Sequence, residues 1–372
     1  MLKAKCLWLN ILLILLNCSA FGAADIQTFR EETTEDLPLK REVPLAIDHN
    51  LGNITIQGWV QDRVRVTLKK RILAHTEAEA NESFKKLDLI SLETAHSFEL
   101  RVGHARGVDL VRKLRDEKQN MVAVDLEIKA PYELDLTVLL GDTRALVLQQ
   151  WKGKVSVIGK NGKLELSRIN TKKTIQISCP GCAVELSDSE VSGHILTGTQ
   201  NASLHKVNAV RDLLLDSSSG EIQLADTTGK IDVHTVSGRL NSNSHTGELD
   251  FQSEDGGAFV TNLVGNMEAS TRTGQIMVDA DEVRRFLHLD AEKSDIQVTL
   301  PNKFEGLIDL LSLIGETVVQ FPYEQNRTLR SDDYGPVTLG KVDGIIGART
   351  GVLVHALSKQ GGVRVLRKGL GK

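Results

Sequence analysis

Aromatic residues are scarce, at 4% of 372 residues. This excludes a core built on large rings and leaves few surfaces for stacking on sugars. An excess of positive charge is also missing: 45 Lys and Arg face 49 Asp and Glu, for a net charge of −4. General nucleic-acid binding needs a basic face, so that class is set aside. Long apolar runs are missing beyond the N-terminus, so no transmembrane span is expected in the mature chain. Cysteines number four, and two of them, Cys6 and Cys18, lie in or beside the N-terminal apolar stretch. Only Cys179-Pro180-Gly181-Cys182 remains. A zinc site would want a second pair, and a redox centre would want a βαβ setting. The pair therefore reads first as the disulfide candidate Cys179–Cys182, a local turn staple, or as two spare thiols. Pro-Gly suits the middle of a type II turn.

Familiar catalytic signatures are missing too. No Gly-x-Ser-x-Gly elbow and no His-Glu-x-x-His is found. Gly335 to Val342 nearly spells a phosphate-binding loop, but Val342 stands where the Ser or Thr belongs. The histidines are scattered, and His234 and His245 read as surface residues. No catalytic residue, cofactor or dedicated metal ligand is expected.

What is present begins with an export signal over residues 1–22. Lys3 and Lys5 precede the apolar Leu7 to Leu16, and small residues follow around Ala20 to Ala24. Its removal takes the net charge from −4 to −6, two lysines and no acids being lost. A lipid anchor at Cys18 would need a small residue where Asn17 stands.

The dominant signal is a glycine that returns every nine residues, at Gly220, Gly229, Gly238, Gly247, Gly256, Gly265 and Gly274. Each opens a unit such as Gly-Glu-Ile-Gln-Leu or Gly-Lys-Ile-Asp-Val, a short strand with one buried face followed by a polar turn. A period this regular means stacked β-structure. An antiparallel meander and a parallel solenoid both fit a nine-residue unit. The solenoid, with two units per eighteen-residue coil, turns both rows of apolar residues inward and is preferred. Phe251 has small neighbours, with Ser242 one unit away and Ala269 one coil away, as a narrow close-packed interior requires. Stability in such a stack is collective, and its ends need caps.

The predicted organisation is all-β. A β-rich capping region over 25–140 carries one helix near 76–88, started by the Thr76/Glu79 capping box and striped by Ala80, Phe84 and Leu87. The parallel β-solenoid (β-helix) with short coils follows over 141–322, losing its strict count between 171 and 219. A polar loop and C-terminal capping strands fill 323–372. Arg106 to Lys118 reads as a solvated charged insertion, and the basic C-terminal segment as a solvated tail.

Residues 45–59 (Leu-Ala-Ile-Asp-His-Asn-Leu-Gly-Asn-Ile-Thr-Ile-Gln-Gly-Trp), Val64 to Leu68, the strand pair around Pro131 and the Gly-x-Ile-x-Val units together resemble the bacterial putative-adhesin family of β-strand-repeat domains. This is a domain-of-unknown-function family, and the resemblance covers about residues 45–320. It implies a β-helix-like fold, an export or envelope location and no established catalytic residues.

One arrangement carries chemistry. An eighteen-residue coil stacks Asp232, Asp250 and Glu268 in one outward column about 4.8 Å apart, flanked by Lys230 and Glu248. Stacked carboxylates repel unless a cation or solvent intervenes, so this is the candidate stripe for a divalent cation or a polycation. A solvated acidic face is the plainer account. The expected function is an exported, non-enzymatic, envelope-associated adhesin-like binding module or scaffold in the periplasm or at the cell surface. Its partner would be an envelope polymer or a surface protein. A polysaccharide-active β-helix enzyme and a self-assembling structural protein are the alternatives.

Overall fold

Strict apolar–polar alternation produces strands almost wherever the sequence carries it. The computed structural model describes residues 26–39, 43–103, 122–141, 144–325, 340–348 and 351–369. The expected export signal, Cys18, the Arg106–Lys118 insertion and most of the polar loop after residue 325 lie outside these residues.

The first strands are β1 (Gln27–Pro38), β2 (Leu45–His49), β3 (Ile54–Trp59) and β4 (Arg63–Ala74). Helix α1 (Glu77–Phe84) follows, then β5 (Asp88–Glu93), β6 (Phe98–Gly103) and β7 (Val122–Pro131). Short strands β8 (Leu136–Leu140), β9 (Ala145–Trp151), β10 (Val155–Ile158), β11 (Asn161–Ile169) and β12 (Ile175–Ser178) lead into the repeats. There each coil is one long strand bent at a corner: β13 (Gly181–Gly198), β14 (Ala202–Ser217), β15 (Ile222–Thr235), β16 (Leu240–Ser253), β17 (Ala258–Thr271) and β18 (Ile276–Ala291). The chain ends with β19 (Ile296–Leu300), β20 (Gly306–Ser312), β21 (Thr317–Val319), β22 (Glu324–Gln325), β23 (Gly340–Ile346), β24 (Leu353–Ser358) and β25 (Val363–Arg367).

The repeats pair in parallel, and the coil is eighteen residues: Ile222 faces Leu240, which faces Ala258, which faces Ile276. The fold is the parallel β-solenoid that the nine-residue count predicts. Each coil contributes its first half to one sheet and its second half to another. Between the sheets lie Leu224, Val233, Leu249, Phe251, Val260 and Met267, all at most 1% exposed. Phe251 is in register with Val233 on one side and Ala269 on the other, and Ser242 is buried. The loss of strict count before residue 220 has a simple cause. Ala209 pairs with Gly229 but Asp212 pairs with Lys230, so Val210 and Arg211 bulge outward and lengthen the coil to twenty. The same happens where Gly265 pairs with Val283 but Met267 with Leu287.

The alternating glycines mark two different corners. At one, a hydroxyl three residues earlier accepts the glycine N–H: Ser217 to Gly220, Thr235 to Gly238, Ser253 to Gly256 and Thr271 to Gly274, at 2.7 to 3.0 Å. At the other, Gly247 sits at φ +143°, and a Cβ there would lie 2.0 Å from the Gly229 carbonyl oxygen one coil away. Glycine stacks on glycine because the coils leave no room for a methyl group. Three residues before these glycines, Asp226, Ser244 and Asn262 hold a left-handed backbone (φ 53 to 61°) that turns the chain between the sheets.

Both ends break the sequential order. β2 lies between β6 and β8, and β3 between β7 and β9, all parallel. The coil formed by β6 and β7 is thus laid outside the first coil. Antiparallel β4 and β1 extend one sheet, and β5 extends the other. At the far end β24 inserts between β18 and β20, and β25 between β19 and β21. Helix α1 packs on β4 and β1 through buried Ala80 and Phe84. Thr76 accepts the Glu79 N–H at 3.2 Å, and Glu79 accepts the His75 N–H at 3.1 Å. The helix is shorter than the predicted 76–88: it ends at Phe84, Leu87 turns inward, and β5 begins at Asp88. The basic C-terminal segment is a strand within its described part. β25 is in register with β19, and Lys368 pairs with Asp279 and Asp281.

A disulfide joins Cys179 and Cys182, both fully buried, with 5.3 Å between their Cα atoms. The Cys182 N–H donates to the Cys179 carbonyl at 3.0 Å. Gly181 is without the positive φ of a type II turn. Its missing Cβ serves close approach instead, since a methyl there would meet Asn161 Oδ1 at 2.1 Å.

Candidate functional site

The outer wall of the sheet containing the second half of each coil carries a run of titratable side chains in register. Along each strand, buried residues alternate with outward ones, so one outward position repeats from coil to coil. Register places Asp232 beside Asp250 and Asp250 beside Glu268, as the eighteen-residue coil requires. It then continues the column through residues that sequence counting missed. Glu268 is beside His288, His288 beside His355, His355 beside Asp309, and Asp309 beside Asp343. The column thus runs through seven acidic or imidazole side chains on neighbouring strands. The bulge after Gly265 hides His288 from an eighteen-residue count. His355 is hidden because it arrives on a returning strand.

Electrostatics along the column are not uniform. Partial burial raises the Asp232 carboxyl above its ordinary range, against the pull of Lys230, whose Nζ lies 3.9 Å away. Burial also raises Asp250, and the neighbouring Glu268 charge adds to it. Asp232 Oδ1 is buried and accepts no hydrogen bond. These three carboxylates therefore crowd one another at one end. At the other end two imidazoles, His288 and His355, are followed by two carboxylates, Asp309 and Asp343. His355 Nδ1 donates to Asp309 Oδ2 at 3.0 Å, which raises the imidazole and lowers the carboxyl. Asp343, next in line, is raised by burial and then by the Asp309 charge.

A second outward column adjoins the first. Asp216 receives His194 Nε2 at 2.6 Å and lies 3.4 Å from His234 Nδ1. His234 is thus at the surface, as expected. His245 is not: it is fully buried at a corner, 2.9 Å from Thr227 Oγ1, and burial lowers its pKa to about 4. Its sequence neighbours are polar, which is why it reads as exposed, but the corner turns it inward.

Among the described residues, both tryptophans are engaged in structure. Trp151 is fully buried and donates to the Leu134 carbonyl at 2.8 Å. Trp59 donates to the Arg63 carbonyl, and the guanidinium groups of Arg63 and Arg65 each lie 5.6 Å from its ring. Lys341, at the end of the near-miss phosphate loop, is part of antiparallel strand β23, where a phosphate-binding loop would lead into a helix. Among the described residues, no helix is long and apolar enough to cross a membrane.

No curated protein matches the sequence significantly. Among solved structures, a putative cell adhesion protein from Clostridium sporogenes aligns at 8% identity and TM-score 0.21, covering 91% of this chain and all of its own. A putative adhesin from Bacteroides fragilis aligns at 12% identity and TM-score 0.26, over 91% of this chain and 97% of its own. A putative adhesin from Parabacteroides distasonis aligns at 8% identity and TM-score 0.24, over 90% of this chain and 97% of its own. Alignments this loose transfer no residue role. The sequence itself is more decisive: residues 113–339, more than half of the chain, match the Toastrack DUF4097 family, and the chain belongs to that family.

Proposed function

We propose that this chain is an exported, non-enzymatic, envelope-associated binding module of the adhesin-like kind, recognising its partner through the polar outer wall. One observation carries this reading. The register of the coils holds identical outward positions in fixed columns, from Asp232 through Asp250 and Glu268 to the His288 end. A rigid ladder with charges about 4.8 Å apart suits a partner with repeated cationic groups, such as an amine-bearing envelope polymer or a basic segment of a surface protein. The full burial of Trp151 supports binding over sugar hydrolysis, because that ring offers no stacking face.

Fractionation of native cells with surface proteolysis tests the location; recovery in the cytoplasm would refute export. Retention of the purified chain on a polyamine-bearing matrix tests the wall. The triple variant Asp232→Asn, Asp250→Asn, Glu268→Gln should elute at clearly lower salt. Equal elution of variant and wild type removes the ladder as the recognising surface. Calcium tests the other occupant of the stripe: an unchanged melting temperature at millimolar calcium removes a divalent ion there.

A further inference from the structure

His288, Asp290 and His355 form a three-residue cluster, each offering one donor atom, with these atoms all within 4.8 Å of one another. His288 and Asp290 come from the last regular coil and His355 from the inserted strand β24. His288 Nε2 lies 3.4 Å from Asp290 Oδ2, and His355 Nε2 lies 3.7 Å from Asp290 Oδ1. Ligands of a tetrahedral Zn2+ at about 2.0–2.2 Å stand about 3.3–3.6 Å from one another. The His288–Asp290 pair already stands at that spacing, and the three donors as a set, within 4.8 Å of one another, need only a small closing movement to surround an ion.

Two further observations point the same way. Asp290 Oδ1 is buried yet accepts no hydrogen bond. His355 has its other ring nitrogen fixed, because Nδ1 donates to Asp309 Oδ2 at 3.0 Å. A carboxylate behind a histidine sets the tautomer that leaves Nε2 with a free lone pair, the usual support of a metal-bound histidine. The two imidazole rings stand 4.6 Å apart and tilted by 49°, so they are not stacked flat against each other. Imidazole with carboxylate suits Zn2+ and its transition-metal neighbours over Ca2+ or Mg2+.

We infer that His288, Asp290 and His355 form a binding site for a divalent transition metal of the Zn2+ type, with Asp309 positioning His355. Three protein ligands leave a fourth position for water. The ion bridges the last regular coil and the inserted strand, so it acts as a clasp on the C-terminal end of the solenoid. The inference stands independently of the proposed partner of the acidic ladder.

The test uses the full chain without a polyhistidine tag, stripped with chelator and titrated with zinc chloride at pH 7.5 by calorimetry. One equivalent should bind. Co2+ in its place should give visible ligand-field absorption, and amides of Leu353 to Ser358 should exchange more slowly with the metal present. His288→Gln and His355→Gln should each weaken binding at least tenfold, and Asp309→Asn by about 10–100-fold. Asp232→Asn, on the same wall, should bind as the wild type does. Absence of zinc binding at 100 µM overturns the inference. So does equal binding by the two histidine variants, or equal affinity for Ca2+ and Zn2+.

Discussion

The glycine stacks make a sharp quantitative claim. In Gly247→Ala the new methyl group would sit 2.0 Å from the Gly229 carbonyl oxygen and 2.9 Å from its carbon, at a backbone φ of +143°. An L-residue held in that region costs about 1–3 kcal/mol. Forcing a methyl group into a closed contact costs about 1–3 kcal/mol more, since the opposing atoms are backbone and cannot rotate away. The sum is about 2–6 kcal/mol, against a whole-domain stability of about 5–15 kcal/mol. Guanidinium unfolding followed by far-ultraviolet circular dichroism should show a clearly lowered midpoint. Gly351→Ala is the matched control: nothing lies within 4 Å of its added Cβ. It should be neutral, or stabilising by up to about 1 kcal/mol. If Gly247→Ala unfolds within about 0.5 kcal/mol of the wild type, the close-stacking account of the nine-residue glycine is wrong.

Other consequences are as direct. His49 and His245 are buried, and burial lowers both to about 4 from an ordinary 6.5. Both are neutral in the folded state, so their contribution is full above pH 6.5 and is lost as pH falls towards 4, by up to about 3 kcal/mol each. Imidazole NMR resonances checking this should show no titration above pH 5, and a midpoint above 6 for either would contradict it. His355 works in the opposite sense: Asp309 raises it, so its contribution is present in acid and is lost as pH rises through that raised value. Thr235→Ala removes the acceptor 2.7 Å from the buried Gly238 N–H and should cost about 1–3 kcal/mol in the same unfolding assay. Reducing the Cys179–Cys182 bond opens a very short loop, so dithiothreitol should cost only about 2 kcal/mol and leave the coils folded by circular dichroism.

The repeat region was legible because its code is local. One glycine per half-coil and alternation within it fix the coil length, and coil length alone places Asp232, Asp250 and Glu268 in one column. Two things were not local. Bulges such as Val210-Arg211 add two outward residues without disturbing the buried face, so the count slips while the fold does not. The end coils borrow strands from distant sequence, and no periodicity links His288 to His355, 67 positions later. The metal cluster depends on both effects, which is why scattered histidines looked inert. Helix α1 shows a smaller failure: the stripe Ala80, Phe84, Leu87 is all buried, but a turn delivers Leu87 as well as a helix does.

The insertion of β24 and β25 has a consequence for how the molecule is assembled. A chain that wound only from its first coil to its last could finish each turn as it emerged. Here the neighbours of β18 and β19 are made last, while β20 and β21, made earlier, must wait outside them. Closing that longer excursion costs only about 1 kcal/mol more in chain entropy than closing an ordinary coil. The delay is therefore one of timing: a nascent or truncated chain that stops short of residue 353 exposes two raw sheet edges.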